Sequence, residues 1–290
     1  FGRVHVNLGE PIHLEQLLAE QAPDWRAQIA ASDDPGRAPW VGPVVEDAAQ
    51  RIMRHINAAA AVTPVNLLAI TLLSTELHVL RESDLLRQVD LYLRLLRSLP
   101  YSARVTVTAL DAAGIVDYCE RLHAIVRERP AAGDTDGVVR LDAAQAPVMN
   151  YYRNNVLHLF AMPSLIACCF IANAELRTED IQRLAWRIYP YIGAELFLRW
   201  NESELPEVVN RMLETLTSIG VLERVPGEDR WFFDKALFEG FLTLLRRRAV
   251  LRADEEGRLL FDDVLRRIAD DAQLVLSEAL RHSILQVTHG

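Results

Sequence analysis

Helical periodicity runs through most of this chain and restricts its fold more than any other feature. In ESDLLRQVDLYLRLLRSL, residues 82–99, apolar side chains recur every three or four positions at Leu85, Leu86, Val89, Leu93 and Leu96. This spacing predicts an amphipathic helix with Ser83 as its N-cap. The same reasoning predicts helices at 44–60, 64–80, 143–161, 164–174, 178–199, 204–219 and about 262–287, and one that begins after Asp111.

Short β segments interrupt this helical pattern. The opening stretch, GRVHVNLGEPI, alternates in hydrophobicity like a strand, and a lone strand needs neighbours to pair with. We therefore expect residues outside this chain to supply its sheet. Two late segments, LETLTSIGVLERV and LTLLRRRAVLRAD, each predict a helix that runs into a short strand, as in winged-helix units. The predicted fold class is mainly α, a multi-helix region with short β pieces.

Composition and motifs argue against several functional classes. The chain has 40 acidic and 31 basic residues and a formal charge of −9, whereas nucleic-acid-binding surfaces are usually basic. Cys119, Cys168 and Cys169 offer neither a disulfide framework nor a metal-ligand pair. We find no glycine-rich phosphate loop and no Gly-x-Ser-x-Gly motif, and we predict no metal and no cofactor. Since no apolar run reaches the roughly 18–20 residues of a span, we expect peripheral contact with any membrane.

The stretch NYYRNNVLHLF, residues 150–160, places polar side chains between strongly apolar flanks. On a continuous helix, Tyr151, Asn154, Asn155 and His158 would share one face, and Arg153 would project between Val156 and Leu157, away from that face. One interpretation is a buried polar network that ties this helix to a neighbouring domain. The other is a contact between Arg153 and a substrate or acyl donor. For His158, a hydrogen-bonded core position is favoured over a catalytic base.

Aromatic and arginine residues alternate in LAWRIYPYIGAELFLRW, residues 184–200. Amphipathic rings flanked by arginines suit a bilayer interface. The same pattern suits a buried helix pair around Pro190. Both interpretations stay open, with Trp186 and Phe197 favoured as core residues.

Several segments in order along the chain resemble a known family. They are GRVHVNLGEPIHLEQLL, RHINAAAAVTPVNLLAITLLS, LPYSARVTV, VMNYYRNNVLHLFAMPSLIA, YPYIGAELFLRWNESELPEVV and FFDKALFEGFLTLLR. Together they resemble the C-terminal half of the bacterial PlsB-type glycerol-3-phosphate acyltransferases. The tyrosine–arginine–asparagine block and the AELFLRW block are the most specific parts. The chain departs from the family between Val225 and Trp231, where family members have a longer stretch than PGEDR.

The resemblance implies an activity for the parent protein. That activity is transfer of an acyl group from acyl-CoA or acyl-carrier protein to the 1-hydroxyl of glycerol 3-phosphate, in phospholipid synthesis. The implied location is peripheral, at the cytoplasmic face of the bacterial inner membrane. The family's catalytic His-x4-Asp lies in an upstream α/β domain, and no histidine of this chain is followed by aspartate at the fifth position. This chain alone is therefore predicted to be inactive.

The resemblance also divides the chain and assigns roles. Residues 1–12 would be the last strand of the α/β acyltransferase domain, 13–200 a helical domain, and 201–290 a C-terminal helical region with wing-like hairpins. Residues of this chain would form a wall, lid or support for the active site, with no catalytic residue among them. The candidates for substrate binding or a supporting network are Tyr151, Arg153, Asn154, Asn155 and His158. The alternative function is a non-enzymatic helical scaffold with winged-helix-like units.

Overall fold

The structure, a computed structural model, describes residues 5–7, 9–31, 35–75, 77–128, 130, 136–170, 175–225 and 227–233. Helices dominate these ranges, as the sequence predicts. They are α1 (Leu14–Gln21), α2 (Trp25–Ala30), α3 (Val41–Ala58), α4 (Pro64–Leu72), α5 (Glu82–Ser98), α6 (Ala112–Arg121), α7 (Ala146–Asn154), α8 (Leu157–Cys169), α9 (Thr178–Leu196) and α10 (Leu205–Ser218). The strands are β1 (Ala61–Val62), β2 (Val79–Arg81), β3 (Thr106–Val107), β4 (Ile125–Glu128), β5 (Val138–Leu141), β6 (Glu175–Arg177), β7 (Leu222–Arg224) and β8 (Arg230–Phe233).

Side-chain caps explain where two of the helices begin. At α4, the Thr63 hydroxyl accepts from the Asn66 backbone N–H, and Asn66 Oδ1 accepts from the Thr63 N–H, which forms a capping box. At α6, Asp111 Oδ1 accepts from the Gly114 N–H at 2.8 Å, which confirms the predicted cap. The predicted cap of α5 is wrong. Ser83 lies inside its first turn, where its hydroxyl donates to Asp136 Oδ2 at 2.6 Å.

Two segments fold with the same topology, each as a strand, two helices and a hairpin. The first winged unit, Val79–Leu141, contains β2, α5, α6, β4 and β5, and its antiparallel sheet has the order β2-β5-β4. The second winged unit, Glu175–Phe233, contains β6, α9, α10, β7 and β8, with the order β6-β8-β7. In both, the last strand lies between the other two. The helix-to-strand pattern of LETLTSIGVLERV is confirmed as α10 and β7, while LTLLRRRAVLRAD lies outside the described residues.

One hydrophobic core joins both winged units through α4 and α8. Every α4 residue from Asn66 to Leu72 is buried, and so is all of α8 except Cys168. A helix that is apolar on all sides is expected to be buried on all sides. A separate, smaller cluster of Leu17, Leu18 and Val44 lies between α1 and α3. The N-terminal helices therefore bury little apolar surface among themselves.

Two of the predicted helices end differently in the structure. The helix predicted at 64–80 ends at Leu72, where the chain turns towards β2. The helix predicted at 143–161 is divided into α7 and α8, and the second part absorbs the start of the one predicted at 164–174. α8 continues through Pro163, although an interior proline costs a helix about 3 kcal/mol. Burial on all sides of α8 outweighs that cost.

The domain division stays a prediction. Among the described residues, 5–7 and 9–12 pair with no strand, and their expected sheet partners were placed outside this chain. Strands β6 and β8 come from either side of the predicted boundary between 200 and 201, yet they pair in one sheet. A boundary at that point would divide the second winged unit. The predicted helix at about 262–287 lies outside the described residues.

Candidate functional site

A break between α7 and α8 shapes the stretch singled out in the sequence. The Asn155 N–H still donates to the Tyr151 carbonyl, but the Val156 N–H donates to the Arg153 carbonyl, which tightens the turn. Val156 has φ −121° and ψ 0°, outside the helical region, and α8 starts at Leu157. The single-face prediction is therefore wrong for His158, because the helix is interrupted before it and His158 is buried while Tyr151, Asn154 and Asn155 are exposed.

The exposed side of α7 carries most of the predicted site residues. Tyr151 is 65% exposed and Val148 is 49% exposed. We name this surface the α7 face. It consists of the exposed residues Pro147, Val148, Tyr151, Asn154 and Asn155. Arg153 is half-buried, and its guanidinium donates to Asn154 Oδ1 at 3.1 Å, so the prediction that it projects away from the polar residues is wrong. The α7 face thus presents an aromatic ring and two amides, with a cation at its edge.

The backbone beneath the α7 face is held by α4. Asn66 is 2% exposed, and its Nδ2 donates to the Tyr152 carbonyl at 2.6 Å. The same Asn66 side chain completes the capping box of α4 with Thr63. One buried amide therefore fixes both the start of α4 and the last turn of α7. The contact of Asn66 with α7 was not predictable from the sequence, because an asparagine in the first turn of a helix indicates only a cap.

His158 lies in a buried joint between α8, α3 and the loop after α5. Its Nε2 contacts the Asn57 carbonyl at 3.0 Å, and its ring meets Tyr101 edge to face, with centroids 5.1 Å apart. A carbonyl can only accept, so Nε2 carries a proton and donates it to the Asn57 carbonyl. Burial lowers the pKa of His158 to about 4, against the smaller opposing effect of the Asn57 hydrogen bond. This geometry suits a structural histidine.

The end of α9 closes the same joint. The Arg199 N–H donates to the Tyr101 hydroxyl at 2.9 Å, and the Arg199 guanidinium donates to the Tyr101 carbonyl. Tyr101 also meets Trp200 edge to face, with centroids 5.0 Å apart. Burial raises the pKa of Tyr101 to about 12, so its hydroxyl stays protonated at neutral pH. Arg199 and Trp200 belong to the AELFLRW block, whose tertiary role the sequence left open.

The aromatic segment at 184–200 divides between core and surface. Tyr189 is buried, while Phe197 is half-buried with φ 50° and ψ 48° at the end of α9. Trp186 is 54% exposed, so its favoured core position is wrong. The reason is that Leu184 and Ala185 turn inward, which leaves the next residue of the helix facing outward. Of the described helices, none is both long and apolar enough to cross a membrane.

The titratable groups of this site do not form a catalytic arrangement. His158 is directed at a backbone carbonyl, and burial raises the pKa of the Cys119 thiol to about 12 and of the Cys169 thiol further. A thiol needs a lowered pKa to act as a nucleophile. In the part of the chain that the structure describes, no His, Cys, Asp or Glu side chains group as metal ligands. The arrangement suits positioning and contact instead of proton transfer.

Comparisons with known proteins agree with the resemblance found in the sequence. The chain matches the family described as "Glycerol-3-phosphate acyltransferase C-terminal region" over residues 1–231. A protein named glycerol-3-phosphate acyltransferase from Xanthomonas axonopodis pv. citri is 32% identical, over 99% of this chain and 40% of its own length. Proteins of that name from Pseudomonas aeruginosa (strain UCBPP-PA14) and Xylella fastidiosa (strain M12) are 34% and 32% identical, over 42% and 41% of their lengths.

The matched stretch of these relatives is longer than this chain. The Xanthomonas match extends over 358 residues, whereas this chain has 290. Additional residues in the relatives are consistent with the longer stretch expected between Val225 and Trp231. The chain spans about 40% of the length of the relatives that it matches.

Proposed function

Since this chain belongs to the family of glycerol-3-phosphate acyltransferase C-terminal regions, we propose that its parent protein acylates the 1-hydroxyl of glycerol 3-phosphate. The acyl donor is acyl-CoA or acyl-carrier protein, and the reaction belongs to phospholipid synthesis. The observation that carries this proposal is the family match over residues 1–231, with relatives of that name covering 99% of the chain. The general base of the reaction is placed outside this chain, because no histidine of its sequence is followed by aspartate at the fifth position, and His158 contacts the Asn57 carbonyl.

The α7 face is proposed as the part of this region that meets the active site. Its tyrosine and amides are exposed, while the helix beneath them is anchored through Asn66 to α4. A rigid helix with exposed polar groups can hold a substrate or a neighbouring surface without reorganisation. Arg153 belongs to α7 and contacts Asn154 of the α7 face, and a guanidinium suits the phosphate of glycerol 3-phosphate. Tyr151, Asn154 and Asn155 complete this contact, and His158 supports it from the core.

Peripheral attachment to the cytoplasmic face of the bacterial inner membrane is proposed for the parent protein. The exposed Trp186 ring on α9 supports a contact at the bilayer interface, where tryptophan is enriched. Carbonate extraction of membranes that contain the parent protein tests this proposal. Release of the intact protein is expected, and retention until detergent is added would contradict it.

The winged units do not favour a nucleic-acid-binding function. In winged-helix proteins the second helix of the unit faces the duplex. Here α6 carries Asp117 and Glu120 against one arginine, and α10 carries Glu207 and Glu214 against one arginine. Phosphate backbones repel such acidic helices. We therefore treat the winged units as packing modules of the acyltransferase.

Substitutions on the α7 face test its proposed role. In the full-length enzyme, Arg153→Ala is expected to raise the KM for glycerol 3-phosphate about tenfold, the loss of about 1.4 kcal/mol of phosphate binding. Tyr151→Ala is expected to lower kcat/KM with an unchanged melting temperature, because the ring is exposed in this chain. Steady-state kinetics and thermal unfolding are measured on the same preparations.

Arg87→Ala is the matched control. Arg87 is an exposed arginine of α5 whose guanidinium pairs with Asp84, and exposed pairs contribute little. Its kinetics should equal those of the unmodified enzyme. Equal kinetics for Arg153→Ala, Tyr151→Ala and Arg87→Ala would remove the α7 face from the active site.

A further inference from the structure

An apolar stripe lies exposed along α3. Val45 is 60% exposed, Ile52 is 49% exposed and Ile56 is 59% exposed, with the exposed Ala49 between them. Successive spacings of four, three and four residues place all of them on one side of the helix. We name this set the α3 stripe. Exposed apolar side chains in a contiguous row mark an interaction surface.

Contacts on another side of α3 and at its end hold the helix with the stripe outward. Val44 is buried in the small cluster with Leu17 and Leu18 of α1. Asn57 Nδ2 donates to the Leu196 carbonyl at 2.7 Å, which ties the end of α3 to the end of α9. A surface helix of a globular protein usually has one apolar side. The second apolar side of α3 therefore needs a second partner.

The beginning of the chain contacts the residue that follows α3. Asn7 Nδ2 donates to the Ala59 carbonyl at 3.0 Å, and Glu10 pairs with Arg104. Val6, next to this tether, is 79% exposed. Residues 5–7 and 9–12 therefore lie at the end of α3.

We propose that the α3 stripe docks against an apolar surface of the part of the full-length protein that precedes this region. This inference rests on the proposed function, since it takes the parent to be a full-length acyltransferase of which this chain is a C-terminal region. The length of the relatives supports it, because this chain covers only 40% of them. Five of the eleven exposed large apolar side chains among the described residues lie within the first 58 positions.

The charges around the α3 stripe favour a protein partner over a lipid bilayer. Anionic membrane surfaces attract exposed basic segments. On α3, the exposed Glu46 borders the stripe, and Arg51 is paired with Asp47 and Glu20. The chain as a whole carries a charge of −9. An apolar stripe with acidic surroundings therefore fits an apolar protein surface better than an anionic membrane.

Cysteine labelling tests the proposal without depending on turnover. Ile52→Cys and Ile56→Cys are made in the full-length protein, with Leu77→Cys as the matched control, because Leu77 is 83% exposed and belongs to the connection between α4 and β2. N-ethylmaleimide modification of each site is followed by peptide mass spectrometry. Each rate is divided by the rate of the same variant unfolded in urea. The buried Cys119 and Cys169 report whether the protein is folded, since they should stay unmodified.

The expected result is modification at least tenfold slower for Ile52→Cys and Ile56→Cys than for Leu77→Cys. In the 290-residue chain, the three sites should react at similar rates. Similar rates in the full-length protein would overturn the proposal. Protection that appears only after addition of vesicles containing phosphatidylglycerol would assign the stripe to a bilayer instead. Protection in the 290-residue chain that increases with protein concentration would assign it to a second copy.

An acyl-transfer assay distinguishes failure of the docking proposal from failure of the proposed function. It is run on the same full-length protein before labelling. Activity without protection of Ile52→Cys refutes the docking and leaves the proposed function intact. Protection without activity supports docking within the full-length protein and refutes the proposed function.

Discussion

Protonation of His158 should destabilise the protein at mildly acid pH. Its pKa falls from an ordinary value of 6.5 to about 4 in the folded chain, because burial disfavours the imidazolium. The Asn57 carbonyl holds Nε2 at 3.0 Å, and the Tyr101 ring covers one side. The unfolded chain therefore takes up a proton near pH 6.5, whereas the folded chain resists protonation until about pH 4. Stability is complete above pH 6.5 and is lost as the pH falls through this window.

The size of this loss follows from proton linkage. With pKa values of 6.5 and about 4, the free energy of unfolding should fall by about 2 kcal/mol between pH 7 and pH 5 on account of His158 alone. At pH 4 the total reaches about 3 kcal/mol. Losses of this size are a large fraction of the stability of a typical domain.

Urea unfolding of the 290-residue chain measures the effect. His158→Gln is the comparison, because an amide can donate to the Asn57 carbonyl and does not titrate. Other acidic transitions are common to both proteins, so the difference between their pH profiles isolates His158. The unmodified protein should lose about 2 kcal/mol more than His158→Gln between pH 7 and pH 5. Parallel profiles would show that His158 is hydrated or paired in the folded protein, and would refute the buried joint.

Two further predictions concern the supports of the site. Asn66→Asp removes the donor to the Tyr152 carbonyl and buries a carboxylate, so urea unfolding should show a loss of about 2–4 kcal/mol in the free energy of unfolding. The control, Asn154→Asp on the exposed α7 face, should change that free energy by less than about 0.5 kcal/mol. Equal effects of the two substitutions would refute the anchoring of α7. Gly220 has φ +78°, and no atom lies near the position of an added Cβ. Thermal unfolding of Gly220→Ala should therefore report a loss of about 1 kcal/mol from backbone strain alone, and an unchanged stability would contradict that conformation.

The division of NYYRNNVLHLF was not predictable from its residues. The two residues at the break, Asn155 and Val156, are neither glycine nor proline, and the helical periodicity continues through both. The break arises because α7 is anchored to α4 through Asn66, while α8 runs through the middle of the core. The helix is interrupted between the part that packs on α4 and the part that packs in the core. Local propensity carries no information on that requirement.

The first winged unit was also missed. Its strands β2, β4 and β5 have three or four residues each, too short for a clear alternation. These segments are strands because Val79 pairs with Arg140 and Ile125 pairs with Leu141, and the residues of each pair are separated in the sequence. In the second winged unit the helix-to-strand pattern was visible only where α10 runs into β7. Strand β6 gave no such signal, because its partner β8 lies more than 50 residues away.

The sequence by itself determined the mainly helical class, the capped start of α6, the absence of a His-x4-Asp motif and the family. These are properties of neighbouring residues or of matched segments, and they do not depend on what packs against what. Only the tertiary structure decided that His158 is buried while Tyr151 is exposed, and that the α3 stripe is uncovered. Periodicity shows that a helix has an apolar side, as α3 does at Ile52 and Ile56. Which partner covers that side is determined by contacts between segments far apart in the chain, or by residues that lie outside it.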